Sequence, residues 1–196
     1  MSEAELHVLG ARLRGGILNK ARRGELRGHL PVGFVYTPDG RVALDPDTQV
    51  QESVRLLFQT FLRTGAAHAT VKYFREQQLL FPIRLAAGTR KGELAWTPLG
   101  LGRAVHLLHN PRYAGAYTYG RHRWRKQPNG RTRRERVPRE QWHALLRDAH
   151  PGYISWEEHE RIEHQLHAGA KALGWERRQG PPREGPALLQ GRVVCG

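Results

Sequence analysis

Thr97-Pro98-Leu99-Gly100-Leu101-Gly102-Arg103-Ala104-Val105-His106-Leu107-Leu108-His109-Asn110-Pro111-Arg112-Tyr113-Ala114-Gly115 is the stretch on which the fold reading turns. Thr97 and Pro98 have the residue types of a helix N-cap and first position. Leu101, Val105 and Leu108 then share one helical face. Gly100 and Gly102 weaken the first turn. Asn110-Pro111 ends the helix, because proline drives the residue before it out of helical geometry. Arg103 and His106 fall off the apolar stripe, and Arg112 and Tyr113 follow its end. The segment predicts a short amphipathic helix with a cationic outer edge.

Working upstream, Ser2 and Glu5 fit a capping box for a long N-terminal helix that carries Leu6, Leu9, Leu13 and Ile17 at helical spacing. Short extended pieces over 30–35 and 41–44 flank a turn at Pro38-Asp39-Gly40. Asp45-Pro46 opens a second helix with an apolar stripe of Val50, Val54, Leu57, Phe58, Phe61 and Leu62, stopped by Gly65. A third helix covers 66–78 and buries Val71 and Phe74, and residues 83–93 read as a polar loop. Downstream, strands over 115–121 and 132–137 flank the turn signal Pro128-Asn129-Gly130. Ser155 caps a last helix, with Glu158 completing the box. Residues 174–185 are rich in Pro, Gly and Arg and read as a linker, and 187–194 as a strand. The predicted class is α+β and mainly helical. It is a helix-turn-helix or winged-helix-like domain with a small β-hairpin, preceded by a long helix.

Charge narrows the partners. The 196 residues hold 32 Lys+Arg against 18 Asp+Glu, a formal net charge of +14. A pI near 10.9 selects a polyanion, nucleic acid before an anionic membrane. No apolar run has the length of a membrane-spanning helix and the first residues are acidic, so the expected location is cytoplasmic, with the nucleoid. The basic residues cluster. Residues 121–139 contain nine Arg or Lys, among them Arg121, Arg123, Arg125, Lys126, Arg131, Arg133 and Arg134, opposed only by Glu135. Trp124 sits among them and can stack. A second cluster, with Lys20, Arg22 and Arg23, closes the first helix. These cations, together with Arg103, His106, Arg112 and Tyr113, are the candidate DNA contacts.

Other chemistries fit poorly. His159 and His164 lie five residues apart and would point about 140° apart on a helix, and no CxxC accompanies them. Ser2, Ser53 and Ser155 are the three serines; two read as caps, and no activating base adjoins any of them. No P-loop or dinucleotide turn occurs.

The order of several motifs resembles large serine recombinases. Trp96, residues 105–108 and Asn110-Pro111-Arg112-Tyr113-Ala114-Gly115 resemble the pattern closing that family's recombinase domain. Gly65 and Leu80-Phe81-Pro82 resemble the segment before the tryptophan. Gly152-Tyr153-Ile154-Ser155-Trp156-Glu157-Glu158 resembles a helix start of the family, and residues 188–196 the beginning of its zinc ribbon. The resemblance implies that residues 1–27 form a linker helix from an absent catalytic domain, that 28–172 bind DNA, and that 173–196 are a linker and a truncated ribbon. It implies double-stranded DNA as partner, a full-length recombinase as a second one, and no membrane. It carries over no catalytic residue, because the family's serine nucleophile lies in the catalytic domain. It implies zinc only where a ribbon is complete, and Cys195 alone is an orphan ligand. An RNA-binding protein is the alternative, sharing charge and exposed aromatics, and a histidine–metal nuclease is a third class.

Overall fold

The computed structural model describes residues 3–85 and 87–170. Along them run α1 (Glu3–Arg22), β1 (Phe34–Tyr36), β2 (Val42–Leu44), α2 (Thr48–Thr64), α3 (Ala67–Glu76), β3 (Leu80–Arg84) and β4 (Leu94–Pro98). Then come α4 (Leu101–Leu108), a 3-10 turn (Pro111–Ala114), β5 (Tyr117–Tyr119), β6 (His122–Lys126), β7 (Thr132–Arg136), a second 3-10 turn (Arg139–Gln141), β8 (Ala144–Leu146) and α5 (Trp156–Ala170). The strands form four separate antiparallel pairs, β1–β2, β3–β4, β5–β8 and β6–β7. The class is α+β, as read from the sequence, and the helices carry the core.

Helix α2 shows why. Asp47 is its N-cap and accepts a bond from the Gln49 backbone N–H at 2.9 Å. Gly65 ends it at φ 70°, donating its N–H to the Phe61 carbonyl. Between the caps, Val50, Val54, Leu57, Phe58 and Phe61 are buried. They pack with Phe34, Phe74, Phe81, Leu107, Leu108, Tyr113 and Ile162 in one continuous cluster. The helix starts two residues later than Asp45-Pro46 predicts. Asp45 is instead buried and receives the Arg84 guanidinium, so a carboxylate read as a cap ties β3 to the start of α2.

The segment 83–93 is not simply a polar loop. Ile83 and Arg84 belong to β3, and the rest of the segment joins it to β4, with Phe81 opposite Thr97 and Pro82 opposite Trp96. Thr97 and Pro98 therefore finish a strand, and α4 begins after Gly100, which has extended geometry and no side-chain cap. The predicted strand over 115–121 pairs with β8, a strand absent from the sequence reading, while the basic hairpin is β6–β7. Gly120, at φ 87°, breaks the strand before His122, so 117–119 is not the hairpin's first arm. Ser155 does cap α5: its Oγ accepts from the Glu158 N–H at 3.1 Å, and Glu158 accepts in return from the Ser155 N–H at 2.8 Å.

The stripe on α1 is present but unpacked. Leu6, Leu9, Leu13 and Ile17 are exposed, and only the last turn is anchored, where Ala21 is fully buried. Ser2, the linker, the strand over 187–194 and Cys195 lie outside the described residues. Among the described residues, no helix is long and apolar enough to cross a membrane.

Buried His159 makes acid sensitivity measurable. Burial, reinforced by Arg121 and Arg139 and opposed by Glu163, pushes its imidazole down to about 4 from an ordinary 6.5. The folded chain thus binds fewer protons than the unfolded chain between those values. The stabilisation is complete above pH 6.5 and is lost as pH falls toward 4, amounting to about 3 kcal/mol. Urea unfolding at pH 7 and at pH 4 checks this: His159→Gln is expected to lose less stability across that interval than the parent chain. An equal loss in both rules the histidine out.

Candidate nucleic-acid interface

The motif after α4 organises the site. Asn110 is buried and caps the 3-10 turn, accepting from the Arg112 backbone N–H at 3.3 Å. Its carboxamide oxygen also accepts from Arg121 at 3.0 Å, and Arg121 donates a second bond to the His109 carbonyl at 2.8 Å. Arg121 lies at the foot of β6, so the end of α4 and the base of the hairpin are fixed to each other. Gly115 closes the turn at φ 73°; a Cβ there would meet the His150 carbonyl oxygen at 2.6 Å, which leaves glycine as the residue that fits.

Between these elements runs an open groove of about 690 Å³. Arg84, Arg103, Arg112, Arg121 and Arg134 line it, with His106, His122 and Trp124 and with no carboxylate among its lining residues. Asp45 lies behind Arg84 as its ion-pair partner. The histidines register the positive potential. His122 is pushed down to about 4, first by burial and then by Arg134, Arg121 and Arg136. Neutral at pH 7, its Nδ1 accepts from Arg134 at 3.0 Å. His106 is lowered by the same causes, burial first and then Arg121 and Arg134. Even Arg121 falls to about 10, chiefly through burial, and still keeps its charge at neutral pH.

The predicted contacts divide accordingly. His106 is exposed on α4, and Arg112 faces the groove over the Tyr117 ring. Arg123, Trp124, Arg125, Lys126, Arg131, Arg133 and Arg134 are exposed on the hairpin or its turn. Tyr113 is a correction: it is fully buried, its hydroxyl donates to the Val32 carbonyl at 2.8 Å, and it stacks among Phe34, Phe58 and Tyr153. Its place next to Arg112 made it look accessible, but the 3-10 turn rotates it inward. Arg121 and Arg103 are also committed within the fold. Arg103 donates to Thr97 Oγ1 and the Pro98 carbonyl, both at 3.0 Å, and covers the Phe81 ring. Lys20 and Arg22 are exposed on α1, outside the groove lining, and Arg23 is held by Glu25 at 2.7 Å. The sequence reading omits Arg84 and His122. Two-residue alternation with Trp124 could have found His122; Arg84 was hidden in the unrecognised β3.

Among the described residues no group of three His, Cys, Asp or Glu side chains is placed to hold a metal.

Comparison with known proteins gives the fold and the family. The chain is 52% identical over its full 196 residues to the uncharacterized protein y4bA/y4pH of Sinorhizobium fredii (strain NBRC 101917 / NGR234), and spans 28% of that protein's length. Its fold is similar to that in the crystal structure of an LSR–DNA complex, LSR denoting a large serine recombinase. That likeness has a TM-score of 0.53 at 15% identity, covering 94% of this chain and 46% of the other. The family model named Recombinase matches residues 48–168, which take in most of the core and of the groove lining and the whole basic hairpin, and the chain belongs to that family.

Proposed function

We propose that this chain is the DNA-binding part of a site-specific recombinase and occupies duplex attachment-site DNA of a mobile element. The observation that carries the reading is the arginine-lined, carboxylate-free groove joining the end of α4 to the hairpin base. Phosphates are the ligands such a surface selects, and a short helix beside a basic hairpin is the arrangement of a helix-turn-helix reader with a wing. Residues 28–172 form the binding unit, α1 links it to a catalytic domain, and a complete recombinase is the second partner. The location is cytoplasmic, with the nucleoid. Strand exchange is not performed by these residues themselves. Ser53 lies on α2, and Ser155 is used as a cap, its hydroxyl accepting from the Glu158 N–H.

One experiment tests the reading. The chain is bound to plasmids carrying an attachment-site pair and to scrambled controls, with footprinting and a search for covalent protein–DNA adducts. Protection of the attachment site without an adduct is expected. Arg112→Ala with Arg134→Ala is expected to weaken binding on both DNAs and to flatten the salt dependence by about 2 in log–log slope, about 1 per lost phosphate contact. Equal protection of scrambled DNA would remove site specificity, and a serine adduct would make the chain an enzyme.

A further inference from the structure

The basic hairpin has two unequal faces. Opposed residues share a face, and the register pairs His122 with Arg136, Trp124 with Arg134, and Lys126 with Thr132. The other face holds Arg123 opposite Glu135 and Arg125 opposite Arg133. Glu135 lies 3.4 Å from Arg123 and 3.9 Å from Arg125, so that face is partly neutralised. The first face keeps its charge on Lys126 and Arg134, and its His122, Trp124 and Arg134 continue directly into the arginine-lined groove. The pairing register sorts the hairpin's cations onto these two faces.

Trp124 stands apart from the other described tryptophans of this region. Trp142 donates its indole N–H to the Val137 carbonyl at 2.8 Å and carries Arg121 over its ring. Trp156 donates to Glu160 at 2.9 Å and is covered by Arg139 and Arg147, each 4.5 Å from the ring centroid. Trp124 is 71% exposed and, among the described residues, carries no such bond or cation. A large apolar side chain held in water, at the centre of a cationic face, contributes nothing to the core. Its flat ring matches a nucleobase, and the two cations beside it match the phosphates on either side of a base step.

We infer that Trp124 is a base-stacking wedge, inserted at a deformable step of duplex DNA while Arg134 and Lys126 hold the neighbouring phosphates. The inference rests on the DNA-binding reading and deepens it. Opening a step costs stacking energy, which the aromatic contact offsets, so the module prefers steps that unstack easily. The hairpin then contributes selectivity by deformability, without hydrogen bonds to base edges.

Fluorescence anisotropy with the full chain tests this on a short duplex and on the same duplex with one central mismatch, where unstacking is already cheap. The parent chain is expected to bind the mismatched duplex about tenfold more tightly. Trp124→Ala is expected to lose about tenfold on the mismatched duplex and to bind both duplexes alike, while Trp124→Phe keeps part of the preference. Lys126→Ala and Arg134→Ala are expected to weaken both duplexes by one common factor and leave their ratio intact. Because Trp124 is exposed, its variants should melt at the parent temperature. A Trp124→Ala chain that keeps the parental ratio, or a parent chain that ignores the mismatch, overturns the wedge and leaves the DNA-binding reading standing. A parent chain that binds neither duplex at low salt, or prefers single-stranded RNA to both, overturns both.

Discussion

Raising monovalent salt from about 50 mM to about 200 mM is expected to weaken binding of this chain to duplex DNA by about a thousandfold. The size follows from the number of exposed or groove-facing cations that can meet phosphates. Arg112 in the groove, with Lys126, Arg131, Arg133, Arg134 and Arg136 on the hairpin and its turn, would together neutralise about six phosphates. Each neutralised phosphate releases condensed counterion, so log K falls with log salt at a slope of about −5. Arg103 and Arg121 are left out of the sum because two or more hydrogen bonds hold each within the fold, and Arg23 because Glu25 neutralises it, whereas Arg134, with one bond to a neutral imidazole, and Arg136, 4.0 Å from Glu163, stay exposed and are counted. Titrations at four or five salt concentrations give the slope. A slope near zero would mean that the positive groove is not a phosphate surface. A slope nearer −9 would mean that committed arginines are released on binding.

Tyr113→Ala is expected to destabilise the chain by about 4 kcal/mol, the largest effect of any single substitution considered. The ring is fully buried, with centroids 5.1 Å from Phe58, 5.4 Å from Phe34 and 5.9 Å from Tyr153. Its removal leaves a cavity where α2, the β1–β2 pair and the turn after α4 meet. Tyr113→Phe keeps the ring and removes only the hydroxyl, leaving the Val32 carbonyl without that donor, and is expected to cost about 1 kcal/mol. Denaturant unfolding separates the two variants. DNA affinity measured on folded Tyr113→Phe is expected to equal that of the parent chain. A loss of affinity without a loss of stability would return Tyr113 to the binding surface.

Residues close in sequence specified much of this protein alone. The apolar stripe of α2 is legible because 3.6-residue periodicity and the Gly65 stop are local properties. The Ser155 cap is legible for the same reason: donor and acceptor lie three residues apart. Net charge and the crowding of arginine over 121–139 pointed to a polyanion without any coordinates. What needed the tertiary structure was every decision between partners distant in sequence. Asp45 has the right residue type for a cap, yet Arg84, thirty-nine positions away, claims its carboxylate. The strand over 117–119 alternates like a hairpin arm, yet its partner is β8. Arg112 and Tyr113 are adjacent, and one turn of 3-10 helix sends the first to the groove and the second to the core. Which arginines remain free for a ligand is likewise decided by Asn110, Thr97 and Glu135, none of which carries a sequence signal for that role. Local sequence sets periodicity, caps and charge density, because those depend on neighbours along the chain. Burial and pairing choose among chemically equivalent side chains, because desolvation and hydrogen bonding depend on neighbours in space.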